Sequence, residues 1–252
     1  MTESKNFEIA IVRHASDNWD NPEVQRLFAQ IVQLKIQGYH CEYPEGVLPV
    51  DTTDFICDHI VICQRDTPFQ LRPVLAFKST NLESCRRHRI SFPGITLAEQ
   101  AGAKPHAETL RAIVAACERL HQNIAYVGSW TISPDVRKNR DLVLQIKEIM
   151  KVIFYFYHSE LRIDKIVAGA TQRFKTGDFI KFWGFEPLLD SQNAVLEPIR
   201  VKHLFDELVQ LQYLQKFTDE SRNFAVAHSH IWHNRTEYSL LPDSRQASKK
   251  AA

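Results

Sequence analysis

Three cations surround the predicted start of a long helix, in a turn that is placed like a phosphate-binding turn but holds no glycine. The turn lies in TISPDVRKNRDLVLQIKEIM, residues 131–150, and the cations are Arg137, Lys138 and Arg140, with Asn139 between them. Glycines let the backbone wrap closely around a phosphate, whereas arginine and lysine side chains hold it through charge-assisted hydrogen bonds. The turn therefore predicts an anion site made of side chains. The alternative is that two of these cations are simply solvated, although cations at a helix start oppose the helix dipole and cost a little stability.

Two aspartates lie three residues apart in an acidic loop that leads into a predicted strand. The loop reads GYHCEYPEGVLPVDTTDFICDHIVIC, and the aspartates are Asp51 and Asp54. Carboxylates of this kind can bind an ammonium group and accept its proton through water. We expect Asp51 and Asp54 to be catalytic if the protein acts on amines. Capping and turn chemistry ahead of a strand explains the same residues equally well.

Histidines and cysteines are the remaining groups that could hold a metal. His228, His230 and His233 lie within the segment AHSHIWH. A strand would put the first two on one face and a helix would pair the last two, but no nearby carboxylate or cysteine completes a site. The five cysteines show no paired spacing. We expect the cysteines to be reduced core residues, and we expect no bound metal. One of the histidines could instead act as the general base, which is the alternative to the aspartates.

The composition is that of a soluble globular protein with one domain. The 252 residues are 44% hydrophobic, which is enough to bury a sizeable core. The net charge is +1, so no overall field favours nucleic acid or an anionic membrane. No stretch approaches the roughly 18 apolar residues of a membrane span, and no signal peptide is recognisable. We expect a cytoplasmic protein.

Hydrophobic periodicity predicts alternating strands and helices. Strands are expected at 7–12, 60–63, 74–77, 123–132, 165–170 and 184–188, and helices at 22–38, from 105, at 141–161 and at 176–183. Strand, helix, strand, helix and strand in close succession imply a βαβ unit with parallel pairing. The predicted class is therefore α/β, with helices layered on a mixed sheet.

Three segments give weaker patterns. Residues 83–104 are basic and then punctuated by proline and glycine, which favours a solvated surface loop, with a lid or a carrier-docking surface as the alternative. A further helix is expected at about 199–216, followed by an uncertain strand or loop. The polar end, residues 244–252, is expected to be disordered.

The stretch 124–188 resembles the central part of the GNAT superfamily of N-acyltransferases. The run from Ile132 to Arg137 matches the strand-exit pattern of that family, and FIKFWGF, residues 179–185, stands at its short helix and terminal Gly-Phe. The resemblance implies a centrally splayed sheet that holds a phosphorylated thioester donor. It assigns the donor to seven residues: Trp130, Thr131, Ile132, Arg137, Lys138, Asn139 and Arg140. Ile180 stands where many members carry a tyrosine that protonates the leaving thiolate.

The acidic loop is similar to that of acyl-homoserine lactone synthases and long-chain N-acyl amino acid synthases. Asp51, Asp54 and Asp58 carry this resemblance, whereas Pro49 stands where an acidic residue is expected and Lys78 where an arginine is expected. The basic position of the first helix is not cleanly matched. The resemblance implies transfer of an acyl group from an acyl carrier protein or acyl-CoA.

The function expected is therefore transfer of a medium or long acyl group from acyl carrier protein or acyl-CoA to a small amine such as an amino acid. Two alternatives are an acetyl-CoA-dependent acetyltransferase and a GNAT-fold binding module without catalysis. The donor's phosphopantetheine is expected as a co-substrate and not as a permanently bound cofactor. The predicted domains are an acyltransferase domain at 1–217 and a C-terminal extension at 218–252. Trp130 and the aromatic run 154–157 are expected either in the core or along an acyl channel.

Overall fold

The computed structural model of the chain describes residues 7–67 and 70–239. Within these residues, helices cover both faces of one mixed sheet with the strand order β6-β8-β5-β4-β3-β2-β1-β9, and β7 also pairs with β8. The strands are β1 Phe7–Val12, β2 Asp58–Thr67, β3 Gln70–Asn81, β4 Ile124–Ile132, β5 Lys165–Thr171, β6 Glu186–Pro187, β7 Ile199–Val201, β8 Glu207–Leu214 and β9 Thr236–Tyr238. The α/β fold class predicted from the sequence is confirmed.

The helices divide between the two faces of this sheet. They are α1 Pro22–Glu42, α2 Thr53–Ile56, α3 Leu82–Arg87, α4 Pro93–Gln100, α5 Lys104–Arg119, α6 Pro134–Arg137, α7 Arg140–Glu160, α8 Thr176–Ile180, α9 Asp219–Ala227 and α10 Ser229–His233. Alternating strand residues set the division, since Ile9 and Ile11 of β1 pack with α7 whereas Ala10 and Val12 pack with α1.

The sheet opens between β4 and β5. These strands pair in parallel only from Ile124↔Lys165 to Val127↔Ala168, so the rest of β4 has no partner on this side. On the other side, Phe77 of β3 lies opposite both Ser129 and Trp130, and Ser129 has φ of 56°. This two-against-one arrangement is a β-bulge, which bends a strand and increases its twist. The bulge therefore lies beside the gap and accompanies the opening of the sheet.

Three predictions about secondary structure are wrong. The segment after residue 216, expected as a strand or loop, is mostly helical, because α9 and α10 precede the short strand β9. Residues 83–104 are not a surface loop, because α3 and α4 bury apolar side chains such as Cys85 and Ile95 against the sheet. The helix expected at 199–216 is replaced by β7 and β8. Strand β8 pairs with three strands, and Val209, Leu211 and Tyr213 alternate in it with Gln210 and Gln212. This two-residue period of a strand was present in the sequence, and the helix prediction overlooked it.

The C-terminal segment joins the same sheet. Strand β9 pairs in parallel with β1, and Trp232 of α10 is fully buried in the core cluster that contains α7. The division predicted at residue 217 stays a prediction, and the end expected to be disordered lies outside the described residues. Four of the five cysteines are buried, whereas Cys41 is exposed and does not belong to the core. None of the described helices has the length and apolar character that crossing a bilayer requires.

Gly38 sets how closely α1 approaches β4, and replacing it with alanine should destabilise the protein. An added Cβ would lie less than 3.0 Å from Cγ2 of Thr131, which is itself buried. Alanine favours a helix over glycine by about 1 kcal/mol, but overpacking a tight contact costs about 1–3 kcal/mol. We expect a net loss of about 1 kcal/mol in the free energy of unfolding of Gly38→Ala, measured by urea denaturation.

The control is Gln37→Ala, which changes the neighbouring exposed position of the same helix. This variant should keep the unfolding midpoint within experimental error. A Gly38→Ala protein as stable as Gln37→Ala would show that α1 is free to move away from β4.

Candidate functional site

A cleft of about 780 Å³ lies over the gap between β4 and β5. Its walls are the C-terminal half of α1, the loop before α2, helix α4 and the ends of β4, β5, β7 and β8. Its lining includes Tyr39, Glu42, Asp51, Thr53, Lys78, Tyr126, Trp130, Arg137, Lys202 and His203. Ligand sites of proteins commonly have this size and shape. The cleft is therefore the candidate functional site.

A buried cluster of charges underlies one end of the cleft. Asp54 is 0% exposed and accepts hydrogen bonds from two lysines, Lys35 of α1 and Lys78 of β3, the latter at 2.9 Å. Its Oδ2 also accepts the backbone N–H of Asp51 at 2.9 Å. The pair of lysines on one carboxylate joins the first helix, the acidic loop and the third strand. Because Asp54 has no surface in the cleft, it acts on the site through these partners.

Burial and pairing act in opposite directions on the pKa values of this cluster. Burial raises the pKa of Asp54, but the two lysine ammonium groups lower it more strongly, to about 2. Burial lowers the pKa of Lys35, and Asp54 only partly offsets this effect. For Lys78 the carboxylates outweigh burial and raise the pKa. His59 adds no charge at neutral pH, because burial lowers its pKa to about 4.

Asp51 is the aspartate that reaches the cleft. Its side chain is 65% exposed, and Oδ1 accepts hydrogen bonds from Lys78 Nζ at 3.0 Å and from the backbone and hydroxyl of Thr53. Burial would raise the pKa of Asp51, but Lys78 and Thr53 lower it overall. The second oxygen, Oδ2, accepts no hydrogen bond from any described residue. The cleft thus contains an ionised carboxylate with one oxygen free.

Trp130 joins the cleft to the core on the α7 side. Its ring stacks on Phe77 at a centroid distance of 4.9 Å and on Phe154 at 5.8 Å. Its indole N–H is buried and has no hydrogen-bond partner among the described residues. A buried donor without a partner is costly, and a ligand carbonyl in the gap would satisfy it. Both roles expected for Trp130, in the core and along the cleft, are compatible with this position.

Tyr126 forms part of the floor of the cleft, where three glycines surround its ring. A Cβ added to Gly94, Gly128 or Gly169 would lie 3.0–3.2 Å from atoms of the Tyr126 side chain, and the hydroxyl is the nearest atom for Gly169. The hydroxyl therefore lies between β4 and β5 at the gap, and it donates to no described residue. Burial raises the pKa of Tyr126, so the hydroxyl keeps its proton at neutral pH.

The predicted donor-binding residues differ in whether they line the cleft and in whether their polar groups are free. Arg137 lines the cleft, but its guanidinium already donates to the Ile132 carbonyl at 2.9 Å and pairs with Glu42. Thr131 is buried and donates its hydroxyl hydrogen to the Ser129 carbonyl at 3.2 Å. Lys138 and Arg140 are exposed at the start of α7, outside the lining of the cleft.

Asn139 caps α7 and so occupies part of the backbone anion site. Its Oδ1 accepts the N–H groups of Asp141 and Leu142, both at 3.1 Å. These two donors are therefore unavailable to a phosphate. An anion at this helix start would depend mainly on the side chains of Lys138 and Arg140, as the absence of glycine in the turn indicates.

Lys35 is the member of the site that sequence reasoning missed. It lies on the apolar stripe of α1, between Leu34 and Ile36, and periodicity alone assigns that stripe to the core. A lysine on the buried side of an amphipathic helix requires a buried carboxylate partner. That signal was present in the sequence, but it does not identify Asp54, 19 residues further along, as the partner.

Other candidate residues lie away from the cleft. Ile180 is fully buried in the core. Of the aromatic run, Phe154 and Tyr157 are buried, and Phe156 stacks on Trp232 at 6.2 Å. His228, His230 and His233 lie at the end of α9 and on α10, and they do not line the cleft. Among the described residues, no group of three or more histidines, cysteines or carboxylates is arranged to hold a metal.

Comparison with known proteins identifies the fold. No protein-family model and no curated protein matches the chain. Among solved structures, the CoA-dependent acyl-homoserine lactone synthase BjaI with SAM and isopentyl-CoA is similar over 97% of this chain and 99% of its own, with 11% identity and a TM-score of 0.55. BjaI with MTA has a TM-score of 0.53, with the same identity and coverage. The synthase LasI has a TM-score of 0.49, with 10% identity over 88% of this chain and 94% of its own. The two BjaI structures show that the chain has the GNAT-like fold of that synthase, as predicted.

The buried cluster predicts a loss of stability in acid that depends on Asp54. Its folded-state pKa of about 2 is below the unfolded value of about 3.9, so its contribution is complete above pH 5 and is lost as the pH falls towards 2. At pH 7 the free energy of unfolding of Asp54→Asn should be about 3 kcal/mol lower than that of the wild-type protein, because two buried lysines lose their charged partner. Urea denaturation from pH 7 to pH 3 should show this difference shrinking.

Asp51→Asn is the matched control, since it removes an exposed carboxylate from the same loop. Asp51→Asn should lower the free energy of unfolding by less than about 1 kcal/mol at pH 7. Equal losses in the two variants, or a difference for Asp54→Asn that does not change with pH, would contradict the assigned roles.

Proposed function

We propose that the protein is an N-acyltransferase that moves an acyl group from a thioester donor to a small amine. The observation that carries the proposal is the position of Asp51, whose free carboxylate oxygen lies in a cleft that opens into the gap between β4 and β5. An amine and a thioester can meet there, the amine at the carboxylate and the donor along the unpaired strand. The GNAT-like fold supports this proposal.

The open edge of β4 suits the arm of a pantetheine donor. Backbone groups of β4 beyond Val127 have no partner on β5, and free backbone groups bind amides well. The start of α7 offers Lys138 and Arg140 to the phosphate of the donor. This arrangement fits acyl-CoA and acyl carrier protein equally, since both carry a phosphopantetheine. The solved structure of BjaI with isopentyl-CoA supports a donor of this class.

The acyl chain has an apolar wall available in the same cleft. Leu97 and Ala101 line it on the side of α4, and Val201, Leu204 and Val209 line it on the side of β7 and β8. An acyl group of medium or long chain would remove this wall from water, which is favourable by about 25 cal/mol per Å² of apolar surface. We therefore propose a medium or long acyl group in preference to acetyl.

In the proposed reaction the amine nitrogen attacks the thioester carbonyl, the C–S bond breaks and an amide forms. Asp51 holds the ammonium form and orients the nitrogen. Because its pKa is lowered, Asp51 is a weak base, so the ammonium proton leaves through water in the open cleft. The leaving thiolate takes up the proton that water carries away from the ammonium group, so the thioester and the amine give the amide and the thiol. The Tyr126 hydroxyl at the gap can stabilise the thiolate by donating a hydrogen bond while it keeps its own proton, because burial raises its pKa. Tyr126 thereby takes the place of the tyrosine that many GNAT enzymes carry at the position of Ile180, which is buried in the core here.

Removing the charge of Asp51 should reduce acylation far more than stability. With octanoyl-CoA or octanoyl acyl carrier protein and a panel of primary amines, thiol release by Asp51→Asn should fall by about 10²–10³-fold in kcat/KM, because the amine loses its charged partner. Glu45→Gln, which removes an exposed carboxylate of the same loop outside the lining of the cleft, is the control and should retain most of the activity. The proposal fails if the wild-type protein neither releases thiol from these donors nor binds them.

The donor side makes a separate prediction. Lys138→Ala combined with Arg140→Ala should weaken donor binding about 10- to 100-fold, since each charge-assisted contact contributes about 1.5 kcal/mol or more. Isothermal titration with octanoyl-CoA measures the effect. Lys104→Ala with Arg119→Ala, at the two ends of α5, removes the same charge elsewhere and should leave binding unchanged. Equal affinity in all three proteins would place the donor phosphate away from α7.

A further inference from the structure

We infer that the acceptor is a primary amine without a carboxylate on the adjacent carbon, such as a decarboxylated amino acid or a diamine. This inference rests on the proposed function and concerns the acceptor end of the same cleft. Its basis is the pairing of the charges that line the cleft. Most charged groups there are neutralised by one another, and the group left free beside the buried cluster is an anion, the carboxylate of Asp51.

Lys78 has no hydrogen to offer a substrate carboxylate. Its ammonium group donates to Asp51 Oδ1 at 3.0 Å, to Thr53 Oγ1 at 2.6 Å and to Asp54 Oδ2 at 2.9 Å. An ammonium group has three hydrogens, so these contacts use all of them. Lys35 is buried behind Asp54 and does not line the cleft. Two lysines and two aspartates thus form a set with no net charge.

Arg137 has its charge balanced by internal partners. It pairs with Glu42, and Glu42 also pairs with Arg173 at 2.9 Å. Arg173 pairs in addition with Glu207 at 2.9 Å, so this second group of two arginines and two glutamates is neutral as well. Nε and Nη1 of Arg137 donate to Ile132 and Glu42, so Nη2 still has hydrogens for a carboxylate. Binding there would bring a third carboxylate to two arginines whose charge the glutamates already balance, so the net binding energy would be small.

What remains for the acceptor is Oδ2 of Asp51. This oxygen accepts no hydrogen bond from a described residue and lies in the cleft, so it provides one site for an ammonium hydrogen. An α-carboxylate would lie only a few bonds from that ammonium and therefore close to Asp51. Like charges at that distance repel, and the carboxylate would lose water without gaining a cation.

Lys202 and His203 are the groups that could make this inference wrong. Both line the cleft, both are exposed, and Lys202 has no ion-pair partner among the described residues. They lie in the turn after β7, which forms a different wall of the cleft from the loop that carries Asp51. If an amino acid were the acceptor, its carboxylate would have to reach this turn while its nitrogen stayed at Asp51. Lys202→Ala is therefore the variant that separates the two acceptor classes.

The test compares three forms of one acceptor with wild-type protein and octanoyl donors. Tyramine, tyrosinamide and tyrosine share a ring and an amine, and they differ in having no substituent, a neutral amide or a carboxylate. Putrescine and ornithine form a second pair. We expect kcat/KM for tyramine and tyrosinamide to exceed that for tyrosine by about 10- to 100-fold, and the same order for the second pair. The amide separates the effect of charge from that of size.

Binding without a donor gives a second readout that does not require turnover. Thermal-shift titration should rank tyramine above tyrosine for the wild-type protein, and Asp51→Asn should remove the difference, whereas Lys202→Ala should preserve it. Tyrosine bound or acylated as well as tyramine, with a loss in Lys202→Ala, would overturn the inference and leave the acyltransferase function standing. If no amine is acylated and no donor binds, the proposed function fails, while the ranking of the amines still decides the inference.

Discussion

The contact of two buried lysines with one buried aspartate is the interaction on which the cleft depends. Lys35, Asp54 and Lys78 come from helix α1, the short helix α2 and strand β3, and each would be very costly to bury alone. Together they satisfy one another, so the three elements meet in only one arrangement. The same contacts fix Asp51, which receives a hydrogen bond from Lys78 and donates its N–H to Asp54.

The helix that this cluster holds in place also faces the opened part of the sheet. Gly38 lies one turn after Lys35 on α1 and allows the helix to approach Thr131 of β4 closely. The neighbouring bulge at Ser129 leaves the end of β4 unpaired on the side of β5. Helix α1 therefore fixes the position of the carboxylate relative to the strand edge, and this depends on a close approach at Gly38 that an added Cβ would strain.

The two ends of the site differ in their electrostatics. Around Asp51 the charges are paired and one carboxylate oxygen stays free, which suits a cation. At the start of α7 the exposed residues Lys138 and Arg140 are cations, and the cap by Asn139 occupies two of the backbone donors. That end suits an anion held by side chains. The opposite preferences match the proposed substrates, an amine and a phosphorylated donor, and keep each at its own end.

The sequence by itself determined most of the α/β order of elements and indicated the acidic loop and the cationic turn before α7 as candidate sites, because periodicity, prolines and caps act within a few residues. Its patterns were misread at 83–104, where short helices carry many exposed basic residues, and at 199–216, where the strand alternation from Val209 to Tyr213 was taken for part of a helix. Only the tertiary structure decided which charges pair. Lys35 and Lys78 lie 19 and 24 residues from Asp54 along the chain. They pair with it because the fold buries all three side chains at the same place, which no local sequence pattern predicts.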